Sequence, residues 1–310
     1  METIKDFESF YTIKIQPFLN ELDNEQHSAY NWKKFTLCTG AGAFLCFLLY
    51  FIKIFPSGHI LAIGMLLMCI IGVFFWTRYN DRYLDDFKEK IIGQIISFIN
   101  PSAKYKPMGF VSKKEYKASG LYRRRFSHFD GDDYWQSVYN GVTFHCSEIV
   151  ARYEDVAGTE NIFKGLFFVA NLNNTFRAGT YIWLKGRAQL PASLADEQYR
   201  MFSLPHVQRL KIDHEGFNDM YTVYTTSAEE ASMILSYNMM DHMLAIKNKL
   251  NKDIVFSFVA GKCYIAVPFN ENLLEPSEKG LRDKEVIKNY FYTILLVYNI
   301  IKKLELNRLA

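Results

Sequence analysis

His128, Asp130, Asp132 and Asp133 crowd into one short stretch, SHFDGDDYW. Three carboxylates and an imidazole around a single glycine are donor types that can hold a divalent cation. The spacing does not make a calcium loop of the EF-hand kind, which needs an acidic residue about nine positions after Asp132 or later. The stretch therefore reads as a solvated turn ahead of a strand, with no bound metal expected. A metal-assisted, membrane-bound hydrolase using His128, Asp130 and Asp132 is the alternative use.

A second group lies just upstream. Arg123, Arg124 and Arg125 follow Lys113, Lys114, Lys117 and Tyr122. Clustered cations close to an anionic leaflet contribute about 1 kcal/mol each. Lys113, Lys114 and Arg123 to Arg125 are thus the candidate ligand-binding residues, for anionic lipid headgroups or a protein partner. The competing reading is a solvated loop balanced by Asp130 to Asp133. Elsewhere, His145 falls in a strand pattern, His206 follows Pro205 in a loop, and His242 lies on a helix. Cys146, next to His145, points to the opposite strand face. No phosphate loop, dinucleotide turn, zinc-protease motif or nucleophile elbow occurs. No catalytic residue, metal ligand or cofactor is assigned, and an enzyme is the less favoured class.

The stretch that must position these groups runs from Phe35 to Trp76. Two apolar runs of about 18 residues, the length that crosses a bilayer, flank the turn Pro56-Ser57-Gly58. Neither run contains Asp, Glu, Lys or Arg, so the stretch predicts a transmembrane hairpin. Lys33 and Lys34 precede it, Arg78 and Arg82 follow it, and the link offers only Lys53. The positive-inside rule then places both termini in the cytoplasm. Thr39-Gly40-Ala41-Gly42-Ala43, with Gly64 and Gly72, lets backbones approach closely. The hairpin packing on itself is the first use; contact with a second copy in a homo-oligomer is the other.

A net charge of +3 and a pI near 8.4 are too weak a basic bias for nucleic acid. The five cysteines show no paired or metal-like spacing, so neither a disulfide framework nor a zinc site is expected. The first residues are acidic and amphipathic, unlike a cleavable signal.

Residues 2–30 and 83–99 carry apolar stripes at helical spacing, interrupted in the first by Pro17. They predict an antiparallel stalk continuing the hairpin, with Lys88 on its polar side. From Met108 the pattern turns to strands. Asn140-Gly141 marks a hairpin within 134–153, and 163–172 is an apolar strand. A turn at Asn173-Asn174 leads to the strand 180–184, which is expected to pair next. Residues 207–212 and 221–224 add strands. Residues 228–250 read as one helix opened by a Ser227/Glu230 capping box, a hairpin turns at Ala260-Gly261, and 284–306 is a striped helix. The expected fold class is α+β: an N-terminal transmembrane hairpin with flanking amphipathic helices, then a cytoplasmic antiparallel-sheet domain with two helices, covered on one face. The boundaries are 1–34, 35–76, 77–100 and 101–310.

The blocks SGLYRRRFSHFDGDDYWQSVYNGVTFHCSEIVA, FKGLFFVANLNNTFRAGTYIWL, YTVYTTSAEEASMIL and FSFVAGKCYIAVPFNENLLEPS resemble the bacterial family known as domain of unknown function 3137. The resemblance covers most of the chain. It implies two N-terminal spans in the inner membrane, a cytoplasmic domain and no established activity. The family pattern has an aromatic or proline-rich run where this chain has Arg123 to Arg125. The expected function is a membrane-anchored binding or scaffold module for a protein, peptide or anionic lipid.

Overall fold

The structure, a computed structural model, describes residues 4–156, 158–172, 176–186, 207–276, 281 and 283–309. The expected turn at Asn173-Asn174 and the loop histidine His206 lie outside them. The chain divides into two units, one of residues 1–98 with 275–289 and one of residues 99–274 with 290–310.

The first unit is built on two long antiparallel helical runs. One comprises α1 (Ile4–Phe10), a π-helical turn (Tyr11–Ile15) and α2 (Gln16–Phe51). The other comprises α3 (Gly58–Phe87), a second π-helical turn (Lys88–Gly93) and α4 (Gln94–Ile99). Pro17 falls in the first turn of α2, and the irregularity sits just before it as the π-helical turn. Both runs are long and apolar enough to cross a membrane. Between 35 and 76 large apolar side chains such as Phe44 and Phe51 stand exposed. Small residues close the hairpin on itself: a Cβ on Gly72 would lie 2.6 Å from the Thr36 hydroxyl.

Outside that apolar stretch the same helices pair through a genuine core. Phe7, Phe10, Phe87, Ile91 and Ile95 are buried, and Phe10 stacks on Phe98 with centroids 4.1 Å apart. Each such side chain stabilises the pairing by about 1.5–3 kcal/mol before ordering costs. Lys88, placed on the polar side by its periodicity, is instead buried and ion-paired with Glu275 at 2.8 Å. The π-helical turn starting at Lys88 shifts the register and turns its side chain inward.

The second unit is an antiparallel sheet of nine strands among the described residues, in the order β1-β2-β3-β4-β9-β8-β5-β7-β6. The strands are β1 (Lys104–Lys106), β2 (His128–Tyr139), β3 (Val142–Asp155), β4 (Gly158–Asn171), β5 (Gly179–Leu184), β6 (Gln208–Leu210), β7 (Tyr221–Thr225), β8 (Val255–Val259) and β9 (Lys262–Pro268). Asn140-Gly141 and Ala260-Gly261 turn their hairpins with positive φ at both positions, the backbone twist two-residue hairpins require.

The expected pairing of β5 next to β4 does not occur. The β8–β9 hairpin is inserted between them, with Phe168 opposite Ile265 and Ile182 opposite Phe256. That hairpin is apolar on both faces and needs a neighbour on each edge. The helices are α5 (Lys113–Ala118), α6 (Glu215–Met220), α7 (Ala228–Ile234), α8 (Tyr237–Leu250) and α9 (Lys284–Lys303). The segment expected as one helix over 228–250 breaks at Leu235 because Ser236 caps a new helix, accepting from the Met239 N–H.

Both sheet faces are covered. On one, Tyr298 of α9 meets Phe144 edge-on at 5.3 Å. On the other lies residues 111–126, including α5, a helix not foreseen from the sequence. Val111 N–H donates to Ser147 Oγ, Ser257 Oγ–H to the Ser119 carbonyl, and Trp183 Nε1–H to the Leu121 carbonyl. Full burial of β5 follows from this second cover.

Candidate functional site

The acidic stretch is not a turn. His128, Asp130 and Asp132 lie in β2, opposite Arg152, Val150 and Glu148 of β3. Residues two apart in a strand are separated by about 6.7 Å, whereas ligands of one ion must all reach within about 2.5 Å of it. The strand therefore sets these side chains in a row. His128 pairs with Glu154 at 2.9 Å, and Asp130 accepts the Gly131 N–H. Asp133, past the bulge that follows Asp132, is fully buried and takes the Tyr105 hydroxyl. Beside it, Glu148 of β3 accepts the N–H groups of Leu273 and Leu274 at 2.8 and 3.0 Å. Burial, reinforced by Asp133 and Asp132, pushes the Glu148 carboxyl up to about 8.

Within the first unit, Glu21, Glu25 and Asp86 bring carboxylate oxygens together. Lys90 Nζ already sits among them, 2.8 Å from Asp86 and 3.1 Å from Glu21, and Arg82 is 2.9 Å from Glu25. An ammonium occupies the place a metal would need, so the cluster joins α2 to the run that begins with α3.

The basic run is dispersed by the fold. Arg123 is buried, and desolvation lowers the proton affinity of its guanidinium. Arg124 pairs with Glu160 at 2.5 Å and lies over the Tyr153 ring. Lys113 and Lys117 lie over the Phe126 ring at 4.8 and 5.3 Å. Lys114 and Arg125 remain exposed. The run thus anchors the segment covering the sheet as much as it faces solvent.

α5 is fixed from the other side. Glu115 receives His145 of β3 at 3.0 Å and Lys262 of β9 at 2.7 Å. Those bonds, the imidazole's first, hold the Glu115 carboxyl down at about 2. Ser112 caps α5, its Oγ accepting the Glu115 N–H.

This covering segment forms one wall of a cleft of about 700 Å³ at one end of the sheet. Leu121 and Tyr122 supply that wall, Asn161 to Lys164 of β4 the floor, and Asn251 to Asp253 with Pro268 to Asn270 the far side. Gly120 makes the approach possible: its φ is +66°, and a Cβ there would lie 2.5 Å from the Tyr181 ring. Tyr122 packs on Phe163 with centroids 4.9 Å apart. Burial raises the Tyr122 phenol well above its ordinary range, with Asp253 adding to the effect. Lys164 Nζ donates to the Asn270 carbonyl at 2.9 Å, and Lys252 lies 4.8 Å above the Phe269 ring.

The cleft offers ammonium, carboxylate, amide and phenol groups, and among the described residues its lining includes no Ser, Thr, Cys or His. That set can orient a ligand by hydrogen bonds and charge, but supplies no ordinary nucleophile with a base. Lys164, Lys252 and Asp253 were not singled out from the sequence, because Lys164 lies in β4 and the adjoining Lys252 and Asp253 in the turn before β8, far along the chain. Among the described residues the five cysteines are all free, with Cys146 and Cys263 buried.

No curated protein matches the chain. Among solved structures, the mycobacterial trehalose monomycolate transport factor A, TtfA, is similar at 10% identity, with a TM-score of 0.35, over 68% of this chain and 95% of that one. Comparison with family models finds a similarity over residues 161–306, which hold the last three of the sequence blocks quoted above, to the family described as protein of unknown function (DUF3137).

Proposed function

We propose that the protein is a membrane-anchored binding module of the bacterial inner membrane. The apolar hairpin crosses the bilayer, both termini are cytoplasmic, and the sheet unit presents its cleft to a peptide segment of a partner protein. The observation that carries this reading is the cleft's composition. Asn161, Asn251 and Asn270 offer paired donors and acceptors, which match the peptide group. Lys164 and Lys252 supply positive charge for a carboxylate, and Asp253 supplies the opposite sign.

The test is a peptide array probed with the full chain in neutral-lipid nanodiscs. Selection of a sequence class is expected, with binding lost in the Lys164→Ala/Lys252→Ala double variant and kept in Lys114→Ala. An array without selection, or binding that survives loss of both cleft lysines, overturns the reading. Loss in Lys114→Ala alone would return the function to the exposed part of the basic run.

A further inference from the structure

The two helices α8 and α9 leave a second hollow, which shares no lining residue with the polar cleft, although Leu250 of the one adjoins Asn251 of the other in the chain. It is about 530 Å³, with Ala245, Ile246, Leu250, Leu296 and Ile300 as its apolar lining. His242 and Glu305 connect it to a smaller hollow that contains Met233, Met239 and Leu309. Met233 is 64% exposed, so this apolar surface opens to solvent. Methionine thioethers adapt to varied apolar partners.

The rim is predominantly basic. Lys249, Lys302 and Lys303 line the larger hollow, are exposed, and form no ion pair among the described residues. The acidic rim residue, Glu305, is already engaged by Arg308 at 2.7 Å. Lysines at helix C-termini complement the helix dipoles. That accounts for their place in the sequence, but not for three cations around an open apolar channel.

We infer that this groove docks an acidic amphipathic helix of a partner protein, its apolar face in the channel and its carboxylates on Lys249, Lys302 and Lys303. A groove between two helices accepts apolar anchors spaced three to four residues apart, as in other helix-in-groove complexes. The cations on the rim set the sign of the partner and speed encounter. α8 is 14 residues long, or about 20 Å of helix, which matches a partner helix of roughly four turns.

The experiment uses the full chain in neutral-lipid nanodiscs and three fluorescein-labelled synthetic peptides, followed by anisotropy. One is an amphipathic Glu/Leu helix, one its Lys/Leu counterpart, and one the Glu/Leu composition with the apolar stripe scrambled. The Glu/Leu helix is expected to bind at least about tenfold more tightly than either control, with affinity falling as salt rises. Lys249→Glu/Lys302→Glu/Lys303→Glu should abolish that preference, whereas Lys164→Ala/Lys252→Ala in the polar cleft should leave it unchanged. Ala245→Trp, which fills the channel without changing charge, should weaken binding as well. Equal binding of all three peptides overturns the inference, as does binding that survives both the triple charge reversal and Ala245→Trp. So does a groove that takes up short-chain phosphatidylglycerol and leaves the Glu/Leu helix unbound.

Discussion

The indole N–H of Trp183, buried in β5, donates to the carbonyl of Leu121 at 3.0 Å. One bond thus ties an interior strand of the sheet to the segment that walls the polar cleft. Trp183→Phe keeps an aromatic ring but leaves that buried carbonyl without its donor. The expected cost is about 1–3 kcal/mol. It should be seen as a lower unfolding temperature of the detergent-solubilised chain and faster proteolysis between Ser119 and Phe126. Unchanged cleavage there would show that the bond does not hold the wall.

Glu148 sets an alkaline limit. Its folded carboxyl is raised from 4.5 to about 8 by burial beside Asp133 and Asp132. The fold prefers the protonated form, so this contribution to stability is complete below about pH 4.5 and is lost as pH rises through about 8. One pKa unit corresponds to about 1.4 kcal/mol, so the loss across the window is of the order of a few kcal/mol. Glu148→Gln keeps an acceptor for Leu273 and Leu274 and removes the charge. Its unfolding temperature should exceed that of the unaltered chain at pH 8 and converge with it near pH 4.5. The same profile in both proteins would refute the assignment.

Glu115 behaves in the opposite sense. Its carboxyl is held at about 2 by hydrogen bonds from His145 and Lys262. The contribution is present above the unfolded value near 4.5 and disappears as pH falls through about 2. Glu115→Gln should lower the unfolding temperature by about 3 °C at pH 7, and the gap should close in strong acid. A gap that stays constant with pH would mean that the charge is not what matters.

Residues 7–30 and 83–98 bury Phe7, Phe10, Phe87, Ile91 and Ile95 in one core. Ile91→Ala should destabilise the paired helices by about 2–5 kcal/mol. Deleting residues 2–30 should expose Phe87, Ile91 and Ile95 and raise protease sensitivity near Asn100. Deletion without any such change would show that the pairing contributes nothing to the order of that segment.

The proposed topology rests on Lys33, Lys34, Arg78 and Arg82. A reporter active only in the cytoplasm should work when fused after Ala310, and one active only outside should work when inserted in the Lys53–His59 link. The reverse pattern would invert the proposed orientation.

The hairpin, the paired amphipathic helices, the Asn140-Gly141 turn and the α+β class were legible in the sequence, because each rests on local information. Apolar run length, three-to-four periodicity, alternation and turn residues act over a few neighbours. The same rules failed where partners are distant. Strand order placed β8–β9 between β4 and β5, a pairing decided by which apolar faces can be buried together. α5 carried a readable N-cap, Ser112, but its place over the sheet depends on His145 and Lys262. Arg123, Arg124 and Arg125 read as one basic patch because they adjoin in sequence. The fold buries the first and pairs the second with Glu160. The cleft was invisible for the same reason: Tyr122, Lys164 and Asp253 come from three separate segments, and only tertiary packing brings them to one cavity.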